Sequence, residues 1–315
     1  SEVWPFYLGF SGFVLAMLFL DLGVFHRKAH EVSVREASIW TAAWISLAAL
    51  FNGGLYVYLK STYPDNPEIA KQLSLEFLSG FVVEKTLAID NVFVFAIVFS
   101  YFGIRRIYQH RILFFGIIGA LLFRAAFISI GSHLMAYKSV VIFFGAVLIF
   151  TGIKMFLKAE ETMEPERSWL MRLLKKIIPM DFADHGDKFF VTKKGILHAT
   201  PLFMALVFLE LTDLLFAIDS VPAIFALTKE PLIVFTSNIF AILGLRSMYF
   251  MLAGAIDQFK YIKYGLAAVL VFVGLKMVWL NEAFGGKFPI TWSLGIIAVL
   301  IGSSMIPKLF QRSSR

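Results

Sequence analysis

Cysteine is absent from the 315 residues, so the chain has no disulfide framework, no thiolate metal site and no cysteine nucleophile. Charge is scarce as well: Asp, Glu, Lys and Arg make up 16% of the residues, where a soluble domain averages about 25%. There is no Walker A loop, so nothing in the chain itself marks it as nucleotide-driven. A Ser/His/Asp constellation is also missing. The histidines (His26, His30, His110, His133, His185, His198) stand at the edges of apolar runs or outside them. An enzyme is therefore not expected. Apolar residues are abundant, at 59% hydrophobic with a mean hydropathy of +0.77. A soluble protein of this composition could not cover itself with polar surface, and a disordered chain, a collagen and a coiled coil are excluded by the same figures.

A bilayer span needs about 20 mostly apolar residues. Nine runs approach that, near 6–25, 39–59, 79–101, 112–131, 139–157, 197–218, 234–255, 264–280 and 289–307. The spacing predicts an all-α polytopic membrane protein, a single domain over 1–315. The first run is too long for a signal peptide and has its basic cluster after it, so no leader is expected. Net charge is +7, but the basic residues are sorted by topology and do not point to nucleic acid. With the N-terminus outside, twenty Lys and Arg fall on the inner side, six on the outer side and three within spans. The positive-inside rule then sets the N-terminus outside and the C-terminus in the cytoplasm. The one sizeable polar stretch is the cytoplasmic loop near 158–196. Within it, 168–179 reads as a short basic amphipathic helix on the inner surface. Asp181, Asp184 and Asp187 around His185 could hold a cation, although a solvated loop is the plainer reading.

The sequence repeats itself. Ala146–Met155 (AVLIFTGIKM) matches Ala268–Met277 (AVLVFVGLKM) at seven of ten positions with an offset of 122, which also superposes Arg124 on Arg246. Upstream, Glu84–Val92 (EKTLAIDNV) corresponds to Asp213–Val221 (DLLFAIDSV) at an offset of 129. The expected organisation is one repeat over about 79–157 (spans 3–5) and a second over about 197–280 (spans 6–8). With three spans each, the second copy is upside down, which is a transporter signature with the substrate site at the repeat interface.

Six acids sit in or at the edges of these runs: Asp21, Glu84, Asp90, Glu210, Asp213 and Asp219. At a lipid-facing midplane an acid costs about 2.5–3.5 kcal/mol, so these are expected to face the interior and to serve function. Glu84 to Asp90 and Asp213 to Asp219 are both six residues apart. On a straight helix that is about 9 Å of rise with the side chains roughly 120° apart. Either there are two sites, or each helix is interrupted near its motif, and Pro222 favours a break in the second copy. Asn91 and Ser220 add neutral oxygens. The all-oxygen set suits Mg, Ca or Mn. Arg124, Arg246 and Lys85 are expected to balance charge, structural ion pairing being the alternative role for the acids. Lys154 and Lys276 are expected to snorkel to the interface.

Four stretches carry a resemblance: Glu84–Asn91, Phe189–Gly195 leading to Ala199–Leu202, Glu210–Pro222 and Ser237–Arg246. Together they resemble the TerC family, closest to its Alx branch, over nearly the whole chain. The resemblance implies a bacterial inner-membrane protein of the LysE-like transporter superfamily, associated with manganese export and with tellurite resistance. Six acids suit an anion such as tellurite badly. The family's acidic motifs carry over onto Glu84, Asp90, Glu210, Asp213 and Asp219, with Asp21 matched more weakly. The expected function is that of a secondary transporter exporting Mn²⁺, with protons as counter-ion, the lipid bilayer as surroundings and no resident cofactor. Because a ligating acid must lose its proton, metal binding and proton release are coupled. The alternative is an accessory protein delivering metal to secreted proteins.

Overall fold

The computed structural model describes residues 4–23, 32–157, 169–177, 179–183, 185–253, 261–285 and 288–312; the side chains of Asp21, Asp90 and Asp219 lie outside what it describes. The elements run α1 (Trp4–Gly23), α2 (Val34–Thr62), α3 (Pro67–Tyr101), α4 (Arg106–Leu134), α5 (Lys138–Leu157) and α6 (Trp169–Ile177). Then come strands β1 (Phe190–Lys193) and β2 (Ile196–Ala199), followed by α7 (Pro201–Phe225), α8 (Pro231–Leu243), α9 (Leu245–Leu252) and α10 (Ile262–Leu275). A π-helical turn (Lys276–Leu280), α11 (Asn281–Ala283) and α12 (Ile290–Arg312) complete the chain.

Local chemistry sets the ends. Pro67, Pro201 and Pro231 occupy first turns, where a missing N–H costs nothing. Ser33 caps α2 by accepting the Glu36 N–H at 3.2 Å, and Thr200 caps α7 by accepting that of Phe203 at 3.4 Å. Gly103, at φ +63°, turns the chain from α3 into α4.

Among the described residues, each of the nine apolar runs overlaps a helix or a pair of helices. By length and composition five stretches are able to cross a membrane: α2, α4, α5, α7 and Lys263–Ala283. A sixth is formed by α8 and α9 together, bent by 40°. The 35-residue α3 misses that standard because Glu76, Glu84, Lys85 and Asp90 interrupt its apolar stretch. Large apolar side chains, Leu15, Phe19, Leu50, Leu122, Phe150 and Val299 among them, stand exposed on the outside of the bundle, as a lipid solvent requires.

Packing between the helices has a definite register. α3 and α8 lie parallel: Gly80 meets Ser237, and the Lys85 ammonium donates to the Ala241 carbonyl. α4 and α7 also lie parallel, with Gly119 against Glu210 and Gly131 against Phe225. α5 and α10 run antiparallel and very close. A Cβ on Gly274 would stand 2.6 Å from the Gly145 carbonyl, and one on Gly152 2.7 Å from the Ala267 carbonyl. Bare backbone at these crossings lets helices approach without a solvent-driven hydrophobic term.

Three sequence expectations change. α3 and α7 are continuous through both acidic motifs, so neither helix is interrupted there. Pro222 sits in the last turn of α7, where few hydrogen bonds remain to lose, and the sharp bend falls at Gly244 instead. The span placed at 197 begins at Pro201, because 196–199 form the second strand of an antiparallel hairpin. Lys194 and Gly195 turn that hairpin with φ of +49° and +78°, the two positive values a two-residue turn requires. Finally, Lys276 does not snorkel: it is 1% exposed, whereas its repeat mate Lys154 is exposed.

Candidate functional site

Arg124, in the middle of α4, is 2% exposed and is the hub of the charged residues. An arginine at such depth must have its donors met. Its Nη1 donates to Glu84 Oε1 on α3, to Ser220 Oγ on α7 at 3.3 Å and to Asn238 Oδ1 on α8 at 3.5 Å. Its Nη2 donates to Asp213 Oδ1 on α7 at 3.1 Å. The same Asp213 oxygen accepts from Asn91 Nδ2 of α3 at 3.2 Å. One guanidinium therefore joins Glu84 and Asp213, the two acids that correspond under the offset of 129.

The second oxygens are the informative ones. Glu84 Oε2, Asp213 Oδ2 and both oxygens of Glu210 are buried and accept no hydrogen bond. A buried acceptor with no donor carries the desolvation cost of its group, about 1–3 kcal/mol and more when charged. Glu210 lies one turn before Asp213, with its carboxylate against the bare backbone of Gly119 and Gly116 on α4. Glu210 and Asp213 line a small cavity of about 20 Å³ whose other walls include Phe95, Ile112, Leu113 and Leu245. That is room for about one water-sized body. Counted formally, the described cluster holds three carboxyl groups against the guanidinium of Arg124.

The remaining candidates fall as follows. Asp90 lies one helical turn and a half beyond Glu84 on α3, and Asp219 directly precedes Ser220 on α7, but their side chains are outside the described residues, as is that of Asp21 on α1. Among the described residues no three His, Asp or Glu gather in a metal-holding group. Lys85 is directed to the Ala241 carbonyl rather than to a described carboxylate. Arg246, which aligns with Arg124 in the sequence repeat, lines a narrow cleft with Ala37, Trp40 and Trp44 beside α2. Asn238 was not anticipated as a site residue. Its signal was the polar Ser237–Asn238 pair inside an otherwise apolar helix, both fully buried.

Among the described residues, the polar segment before α7 is tied to the bundle by ion pairs. Arg111 of α4 pairs with Asp187 at 2.9 Å and lies over the Phe189 ring. Asp181 takes Lys193 at 2.5 Å and His185 at 2.7 Å, and those two partners hold its carboxyl well below the usual carboxylate range. Asp184 lies outside the described residues.

Long apolar helices around a closed-off charged cluster, with a lipid-suited exterior, define an integral multi-pass membrane protein. The chain belongs to the TerC family: the family model described as "Integral membrane protein TerC family" matches residues 69–315. It is 49% identical over 304 residues to "Uncharacterized membrane protein STKORF319" of Myxococcus xanthus, covering 96% of this chain and 91% of that one. It is 42% identical over 299 residues to "Putative membrane-bound redox modulator Alx" of Photorhabdus laumondii, covering 94% and 92%. The protein of that name in Escherichia coli K12 is 43% identical over 291 residues, covering 92% and 89%. No solved structure matches the chain.

Proposed function

We propose that the protein is a secondary transporter of the bacterial inner membrane that exports Mn²⁺, in exchange for protons, through the carboxylates held between α3, α4 and α7. The observation that carries this reading is the set of four buried carboxylate oxygens, on Glu84, Asp213 and Glu210, that accept no hydrogen bond. Acceptors in that state gain from a cation, and oxygen donors alone suit Mn²⁺, Mg²⁺ or Ca²⁺. Asp90 and Asp219 complete the ligand set, with Asn91 and Ser220 as neutral oxygens beside them. Arg124 offsets part of the negative charge while no cation is bound. An acid that takes the metal gives up its proton, so cation entry and proton exit are linked.

Nine spans, N-terminus outside, and two inverted repeats of three helices form the frame of this reading. Its support is the packing. Under the offset of 122 the contact Gly145–Gly274 turns into Ala267–Gly152, which is the second contact of the same helix pair. Two repeat-equivalent helices that pack antiparallel with exchanged contacts fit a two-fold axis lying across them, and so an inverted pair. The parallel pairs α3–α8 and α4–α7 are interchanged by the same operation.

The name printed for the Alx relatives, a membrane-bound redox modulator, is compatible with this reading. With no cysteine in these 315 residues, an effect on redox state would act through the metal supply and not through a thiol couple of the chain itself.

The test is Mn²⁺ flux in proteoliposomes containing only this protein, with an imposed pH gradient. Flux is expected in the wild type and is expected to be lost in Asp90→Asn and in Asp219→Asn. Undiminished flux in both variants would remove these two aspartates as ligands, and a wild type without flux would remove the transport reading.

A further inference from the structure

We infer that Gly116 and Gly119 are specificity-determining residues: Gly116 lines the compartment together with Glu210 and Asp213, and the bare backbone of Gly119 seats the Glu210 carboxylate that bounds it. The inference rests on the proposed cation site and deepens it. Three observations meet here. Glu210 is seated directly on α4: a Cβ at Gly119 would collide with its Oε2 and Cδ, and one at Gly116 would lie 3.6 Å from its Oε1. Asp213, 7% exposed, lines the same cavity and has an Oδ2 with no hydrogen-bond partner. The cavity itself is about 20 Å³ and otherwise apolar.

Such a compartment discriminates by size. It admits about one water-sized body, so a cation reaches these oxygens only after shedding most of its hydration shell. The carboxylates replace the lost water, and the apolar walls offer nothing else. Mg²⁺ dehydrates reluctantly and keeps several waters, so it is disfavoured relative to an ion that sheds them more readily. The site is also split. Glu84 and one oxygen of Asp213 are held by Arg124, while the Glu210 oxygens and the other oxygen of Asp213 accept no hydrogen bond in residues that line the compartment. The glycines touch only the second half. A methyl group at position 119 meets the end of a flexible side chain, so it shifts the Glu210 carboxylate and narrows the compartment without forcing the helices apart.

The experiment is Mn²⁺ titration calorimetry on the full chain in detergent, for the wild type, Gly119→Ala and Gly119→Ala/Glu210→Asp. Residues that orient metal ligands typically change affinity about 10- to 100-fold, and a loss of that size is expected in Gly119→Ala. The shorter aspartate makes room for the new methyl group, so the double variant is expected to bind more tightly than Gly119→Ala. Unchanged affinity in Gly119→Ala, or no recovery in the double variant, would overturn the inference. If the wild type binds no Mn²⁺, the transport reading fails, and the glycine wall is then judged without metal. A hydrophobic carbodiimide, which attacks carboxyl groups in apolar surroundings, is expected to modify Glu210 at different rates in the wild type and in Gly119→Ala, as read by peptide mass. Equal rates would overturn the inference.

Discussion

Arg124 is the residue on which the interior balances. Removing one partner of a buried charge pair costs about 3–5 kcal/mol, because the partner left behind stays charged and unpaired. Arg124→Met is therefore expected to lower the melting midpoint in detergent strongly, since it strands Glu84 and leaves Asp213 with only the Asn91 amide. Adding Glu84→Gln should restore part of the loss, and Mn²⁺ should raise the midpoint of Arg124→Met more than that of the wild type, a cation taking the place of the guanidinium. Equal shifts in the two proteins would argue against a cation reaching these oxygens. The acids and Arg124 were legible in the sequence because ionisable residues in apolar runs stand out. That a single arginine joins Glu84 to Asp213, and that Glu210 turns to the α4 glycines, was not legible. Helices that are apolar on nearly every face give no periodicity from which to read their rotation.

At the scale of the elements, the glycines of α5 and α10 decide how closely these two helices approach. Gly152→Ala and Gly274→Ala each press a methyl group on the facing backbone, at 2.7 Å and 2.6 Å. Overpacking of this kind costs about 1–3 kcal/mol. Because the repeat exchanges the two contacts, the two variants are expected to lose similar amounts of stability. Gly53→Ala in α2, with nothing within 4 Å, is expected to be neutral or slightly stabilising. Thermal unfolding of the three variants checks this, and a loss confined to one of the first two would count against the symmetry. Helix starts were legible only loosely: the runs expected from 39 and 79 belong to helices that begin at Val34 and Pro67, because polar first turns carry no apolar signal. The β1–β2 hairpin was not, because four-residue strands beside an apolar run read as part of it; the Lys194–Gly195 turn was the available signal. Pro222 misdirected the expected break, because a proline near a helix end costs little, whereas Gly244 lacks the side chain that would have filled the space of the bend.

At the scale of the whole molecule, length and hydropathy made an all-α, multi-pass membrane protein legible without coordinates. The neighbours of the two aligned arginines were out of reach, because tertiary packing alone decides them: Arg124 joins α3 to α7, and Arg246 lines a cleft beside α2. Orientation has its own check in this cysteine-free chain. A cysteine at the exposed Thr192 of the hairpin is expected to resist a membrane-impermeant thiol reagent in intact cells and to react in inverted vesicles. Rapid labelling of intact cells would reverse the orientation. The central claim is that the buried carboxylates hold a divalent cation between the two copies of the repeat. The most direct measurement is diffraction from crystals grown with Mn²⁺, recorded at the manganese absorption edge. The account predicts an anomalous peak inside the bundle, coordinated by carboxylates from both α3 and α7. Saturating Mn²⁺ with no ordered peak in the interior, or with peaks only on the surface, would contradict it.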